Sequence, residues 1–250
     1  MRRHRSIALL AAGVAAAAPA GCAEPAGEGE TPSRPGPVEA SPRSAGKEER
    51  MPPGRGAVVG RVLKRTVLRA EPGGRIVARL RPRTEFGSAR VLLVAARRGD
   101  WLGVVATQRP NRRLGWVKRD VVRLARVPWS IGVDISRRRL VLRRGGRVVE
   151  RMTVAVGRRD APTPTGRFAV TDKLELPGGS AYGCCAVALS GHQPKVIQGW
   201  TGGDRLAIHG TSHPETIGKA ASLGCMRARR ADLRYLLKVL PLGTPVRIRA

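Results

Sequence analysis

Two hundred and fifty residues, 42% of them hydrophobic, suffice for one or two domains with real cores, which excludes a chain disordered throughout. The net charge of +29 is carried by both prospective folded parts, with 18 basic and 4 acidic residues over 57–128 and 21 and 8 over 129–250. Such a surface attracts polyanions, but aromatic residues make up only 3% of the chain, too few for base-stacking platforms; no nucleic-acid motif occurs, and nucleic acid is set aside as a partner.

The chain opens with Met1-Arg2-Arg3-His4-Arg5 and an apolar run over 7–18, too short to span a bilayer but right for an export signal. Pro19-Ala20-Gly21-Cys22 resembles a bacterial lipobox, whose cysteine becomes lipidated and begins the mature protein. The resemblance implies a signal peptide over 1–22, lipidation at Cys22 and an exported protein of the cell envelope, facing the cell wall from a membrane lipid anchor. Pro19 stands where leucine is usual, so simple cleavage after Ala20 remains the alternative. Residues 23–56 are rich in Pro, Gly, Glu and Ser and cannot bury enough surface to offset their conformational entropy, so they are expected to be a disordered linker.

Between residues 57 and 126 short β-branched runs alternate with turns, which predicts a small barrel. Leu68-Arg69-Ala70-Glu71-Pro72-Gly73, Gly99-Asp100-Trp101-Leu102 and Gly115-Trp116-Val117 resemble a bacterial SH3-like domain. Trp101 and Trp116 are candidates for a peptide groove, although tryptophans are heavily buried on average and core packing is the expectation for at least one.

The region 129–250 starts with the alternating strand Ile131-Gly132-Val133-Asp134-Ile135. Segments 139–143 and 147–156 flank a Gly145-Gly146 hairpin turn, and further strands are expected at 167–171, 186–189 and 206–209. Leu233, Leu236, Leu237 and Leu240 fall at i, i+3, i+4 and i+7, so residues 231–240 read as a helix stopped by Pro241. The runs Arg137-Arg138-Arg139 and Arg143-Arg144 read as a solvated strand face, with contact to an anionic wall polymer as the alternative.

Two segments carry chemistry: Ile208-His209-Gly210-Thr211 and Ser222-Leu223-Gly224-Cys225-Met226-Arg227. A thiol attacks as thiolate, and an ordinary cysteine needs a base or a positive field to ionise at neutral pH. His209 can be that base, and Gly224 permits a tight turn whose amides approach a substrate. With the helix expected shortly after Cys225, its positive end would lower the thiol pKa.

These strings, together with Thr163-Pro164-Thr165-Gly166-Arg167-Phe168 and Leu189-Ser190-Gly191-His192, resemble the L,D-transpeptidase (YkuD-type) catalytic domain of bacterial cell-wall enzymes. One departure is Leu223, where many members carry a histidine directly before Gly-Cys. The resemblance implies a mainly β protein: a small SH3-like barrel over 57–126, then over 129–250 a transpeptidase-type β-sandwich with one or two helices near the nucleophile. It implies Cys225 as nucleophile, His209 as proton acceptor and donor, the Gly210 carbonyl orienting the imidazole, and an oxyanion amide at Gly224. Arg227, Ser222, Thr211, Tyr182 and His192 are implied as substrate contacts.

The implied reaction is peptidoglycan 3→3 cross-linking between stem peptides through a cysteine thioester, without a cofactor. An L,D-carboxypeptidase using the same cysteine and histidine, or a non-catalytic wall-binding lipoprotein, are the alternatives. His209 and His213 have metal-pair spacing, but Gly-Thr-Ser between them and Pro214 after them argue for a loop, and no metal site is expected. Cys184-Cys185 read by default as small buried side chains, with a vicinal disulfide or a resolving thiol for Cys225 as alternatives.

Overall fold

A computed structural model describes residues 56–177, 180–195 and 203–250, so the expected signal peptide, Cys22 and nearly all of the expected linker lie outside the described residues. The described chain is mainly β, with a single α-helix among those residues.

Seven strands form the first sheet: β1 (Ala57–Val62), β2 (Thr66–Arg69), β3 (Ile76–Leu80), β4 (Val91–Arg98), β5 (Trp101–Val105), β6 (Gly115–Lys118) and β7 (Val122–Val127). All its pairings are antiparallel, in the order β3-β2-β6-β5-β4-β1-β7. Val58, Val62, Leu68, Leu80, Leu92, Val94, Leu102, Val104 and Val117 fill its core. Trp116 is buried, whereas the half-buried Trp101 ring has the cationic heads of Arg69 and Lys118 at 6.0 and 4.6 Å from its centroid.

The remaining strands are β8 (Trp129–Asp134), β9 (Arg139–Arg144), β10 (Arg147–Thr153), β11 (Val156–Gly157), β12 (Gly166–Glu175), β13 (Cys185–His192), β14 (Arg205–His209), β15 (Ala220–Ser222), β16 (Met226–Arg227) and β17 (Pro245–Arg249). Eight of them form one sheet in the order β10-β9-β8-β17-β12-β13-β14-β16, and β11 pairs separately with β15. Gly145 and Gly146 turn the β9–β10 hairpin at φ +58° and +87°, a mirror-image turn that needs left-handed backbone at both positions.

Strand β14 is buried at every residue and β13 at all but its last, as expected of central strands covered on both faces. Helix α1 (Arg230–Val239) packs on β13 through Leu233 and Leu236, and Pro241 follows just beyond its end. The absent side chain at Gly191 makes room for the Phe168 ring.

Val59, Leu93 and Val127 of the first sheet and Ala169 of the second form a shared apolar patch, with Trp129 packed against it. Polar clamps flank it. The β3–β4 loop brings Thr84 Oγ1 to 2.5 Å from Asp172 Oδ1 and places Glu85 against Arg205. Arg205 is 5% exposed and also donates to Thr171 Oγ1 and, at 3.1 Å, to Asp172 Oδ2, while Asp172 is fully buried. Removing Asp172 leaves the buried Arg205 charge with only the partly exposed Glu85 as counter-ion, so Asp172→Ala should cost about 3 kcal/mol, read by denaturant unfolding. A loss below about 1 kcal/mol would show that the network is not stabilising.

Candidate active site

Strands β14 and β16 run parallel, with Ile208 opposite Met226 and His209 opposite Arg227. This register places Cys225, one residue before β16, against the interior of β14. Its Sγ lies 3.9 Å from the Arg205 carbonyl and is also hydrogen-bonded to the Ala207 backbone. The turn ahead of it is closed by Ser222, whose hydroxyl donates to the Cys225 carbonyl (2.5 Å) and accepts from the Gly224 amide (3.1 Å). Gly224 adopts φ +117°, which favours glycine, and a Cβ there would displace the Gln193 side-chain amide.

His209 ends β14, with its Nδ1 2.5 Å from the Gly210 carbonyl. A carbonyl only accepts, so Nδ1 carries the proton and, in the neutral ring, Nε2 keeps the lone pair a general base needs. Tyr182 stands edge-on to the imidazole, ring centroids 4.8 Å apart and planes at 71°. Gly210 is pinned in turn by the hydrogen bond its N–H donates to the Cys185 carbonyl (3.1 Å).

Both reacting groups are neutral at rest. Burial lowers the His209 pKa from 6.5 to about 4, helped by the charge of Arg227 and opposed by hydrogen bonds to Gly210 and the Tyr182 backbone. Burial pushes the Cys225 thiol up to about 11, opposed by the Ala207 amide and by Arg227. This reverses the expectation of a thiol lowered by a helix: α1 begins only at Arg230, beyond β16, and desolvation outweighs the local positive field. Proton transfer from thiol to imidazole therefore belongs to the reaction rather than to the resting site.

The structure brings Cys225, His209, Gly210, Tyr182, Ser222, Gly224 and Arg227 together. Several expected roles change, however. Ser222 is buried and spends its hydroxyl on the turn, so it is a clip rather than a substrate contact. The Gly224 amide, expected at the oxyanion, is already donated to Ser222. His192 faces the first sheet, its Nδ1 2.7 Å from Asp204 Oδ1 and its Nε2 2.6 Å from the Thr107 carbonyl, while Asn111 bonds both its backbone amide and carbonyl. It is an inter-sheet strut with both ring nitrogens engaged. Thr211 accepts from the His213 amide at 2.9 Å, and His213 is exposed.

Cys184 and Cys185 form a disulfide, which corrects the default reading of two separate buried thiols; among the described residues Cys225 is the cysteine outside a disulfide. The pair lines a cavity of about 780 Å³ beside Gly210, Thr211 and Ser212, which Arg230, Arg234 and Lys238 of α1 also face.

Sequence reasoning missed Gln193 and Arg205. The Gln193 amide donates to the carbonyls of Pro162 (3.0 Å) and Leu223 (3.2 Å), tying the turn before Cys225 to a remote loop. Arg205 links the clamp from the first sheet to the carbonyl beside the thiol. Each was a lone polar residue without a local pattern; only buried polar atoms seeking partners reveal them.

Residues 128–248 match the family profile described as YkuD, the L,D-transpeptidase catalytic domain. The putative L,D-transpeptidase YkuD of Bacillus subtilis is 34% identical over 122 residues, covering 49% of this chain and 66% of that protein. The putative L,D-transpeptidase YqjB of the same organism is 36% identical over 104 residues, covering 38% of this chain and 57% of the relative. The matched regions thus span just under two thirds of these relatives' lengths, or less. Among solved structures, L,D-transpeptidase 3 from Mycobacterium tuberculosis aligns over 64% of this chain and 74% of its own at 16% identity, with a TM-score of 0.43. Residues 128–248, which hold His209 and Cys225, thus match the L,D-transpeptidase catalytic domain and are similar over that span to the two Bacillus relatives.

Proposed function

We propose that this protein is a peptidoglycan L,D-transpeptidase that forms 3→3 cross-links through a thioester on Cys225. The observation that carries the proposal is the register of β14 on β16, which sets the buried Cys225 thiol, outside any disulfide, beside the strand that ends in His209, whose Nδ1 is fixed by the Gly210 carbonyl.

His209 Nε2 takes the thiol proton as Sγ bonds to the carbonyl carbon between the diamino acid of one stem tetrapeptide and its terminal D-alanine. The C–N bond breaks, the imidazolium returns the proton to the leaving amine, and D-alanine departs. The side-chain amine of a second stem then attacks the thioester and frees the thiol. Water in place of that amine gives the carboxypeptidase outcome on the same intermediate. The charge of Arg227 favours thiolate and can pair with a substrate carboxylate. Incubation with disaccharide-tetrapeptide tests the proposal: free D-alanine with a tetrapeptide–tripeptide dimer is expected. D-alanine without dimer would make the protein a carboxypeptidase, and neither product would refute both readings.

The first sheet is read as an SH3-like module that supports the catalytic domain through Arg205 and His192, and wall stem peptides and anionic wall polymers are the proposed partners. Location rests on the lipobox resemblance. Two acyl chains on Cys22 suffice for stable anchoring, so the wild type should take up radiolabelled palmitate and Cys22→Ala should appear in the soluble exported fraction. A mature terminus without lipid mass would remove the anchor and leave the enzyme reading standing.

A further inference from the structure

Between the two sheets lies a cleft of about 680 Å³ whose lining includes Arg109, Arg112 and Arg113 from the β5–β6 loop and Arg167 and Arg247 from β12 and β17, with no acidic residue. A second depression, of about 480 Å³, shares Arg167 and Arg247 and continues over β8 and β9 to Arg143. Its one acid, Asp134, is already bonded by Ser136, by the Arg137 amide and by Arg249. No carboxylate of the described residues forms an ion pair with any of these six arginines.

The arrangement is electrostatically unfavourable by itself. Arg167 and Arg247 are directly opposite each other across the β12–β17 pair, where like charges destabilise a sheet. Burial, and next the charge of Arg247, lower the Arg167 pKa. Other arginines are held in place: Arg112, at φ +66°, donates through Nη2 and Nε to the side chain and carbonyl of Thr165, and Arg109 Nε donates to the Leu114 carbonyl. Side chains held this way lose little further freedom on meeting an anion. Ser130 and Gly132 also line the second depression, where a Cβ on Gly132 would press on Arg143 Nη1 at 3.2 Å.

We infer that this arginine-lined track, from the inter-sheet cleft across the outer face of β12, β17, β8 and β9, binds a phosphate-bearing polyanion. Guanidinium forks match phosphate oxygens in pairs, and a chain of repeated anions relieves the Arg167–Arg247 repulsion along its length. The only aromatic ring in the lining, Phe168, is 1% exposed in the core, so the track offers charge and no surface for stacking bases. The inference sharpens the wall-polymer contact proposed above, yet it needs no cysteine chemistry, so it can fail while the enzymatic reading stands.

Titration of the full chain with short-chain inorganic polyphosphate tests it. Arg167→Gln/Arg247→Gln should weaken binding at least about tenfold and make its salt dependence shallower by about two ions. Arg61→Gln/Arg79→Gln removes equal charge from exposed positions of the first sheet outside the track and should change affinity less than about twofold. Thermal unfolding and acylation of Cys225 report on folding; should the first pair fail to fold, Arg112→Gln/Arg113→Gln on the other wall should show the same loss. Equal weakening by the control pair, no weakening by either track pair, or tighter binding of a single-stranded oligonucleotide than of polyphosphate would overturn the inference.

Discussion

Cys225→Ala is expected to lower D-alanine release by at least about 10⁴-fold, to the limit of detection, because no other group can form the thioester. Cys225 is the one described cysteine outside a disulfide. Cys184→Ser/Cys185→Ser should therefore retain activity. The substitutions fall at the start of the strand that pins Gly210, so a modest fall in rate is expected, whereas loss of these two sulfurs cannot remove the nucleophile. Alanine at 225 introduces no polar group into a site that is 1% exposed, so a folded protein without turnover is the expected pairing of outcomes. Turnover that survives Cys225→Ala would transfer the nucleophile elsewhere.

His209→Ala should slow acylation by at least about 10²-fold at neutral pH. The thiol pKa of about 11 makes this loss hard to bypass: unaided ionisation should restore rate only as the pH approaches that value. The wild-type profile should be equally diagnostic. With the His209 pKa lowered to about 4, the basic ring survives well into acid, so acylation should hold from pH 7 to about 5 and fall only near 4. Stability follows the same group. The folded state binds the proton less readily than the unfolded one, so folding is favoured above pH 6.5 and that contribution, about 3 kcal/mol, drains away as pH falls from 6.5 towards 4. An acid limb near 6.5 in wild type would overturn the burial-lowered pKa of His209, and near-normal rates in His209→Ala would pass the base role to another residue.

Local signals in the sequence proved legible where one residue type decides the backbone. Gly145-Gly146 demanded a two-residue hairpin turn, and the leucine spacing with Pro241 set the helix to within a residue of its start, Arg230 against the expected 231. The Cys225 and His209 strings were readable because their neighbours serve the turn and the imidazole at short range. What stayed hidden depends on burial and on long-range pairing. Nothing near Cys225 in sequence announces that desolvation outweighs the adjacent positive field, or that Ser222 would consume the Gly224 amide. Arg205 meets Glu85 across 120 positions, and His192 meets Thr107 across 85, so a motif reading assigned His192 to the substrate and overlooked Arg205. The disulfide at 184–185 was one of several readings that composition left open.

The central claim, a nucleophilic Cys225 served by His209, is tested most directly by intact-mass spectrometry of the purified protein after incubation with a carbapenem. One adduct per chain is predicted, localised by peptide mapping to Cys225, formed at least about 10²-fold more slowly in His209→Ala and absent in Cys225→Ala. An unmodified wild-type mass, or an adduct that persists in Cys225→Ala, would contradict it.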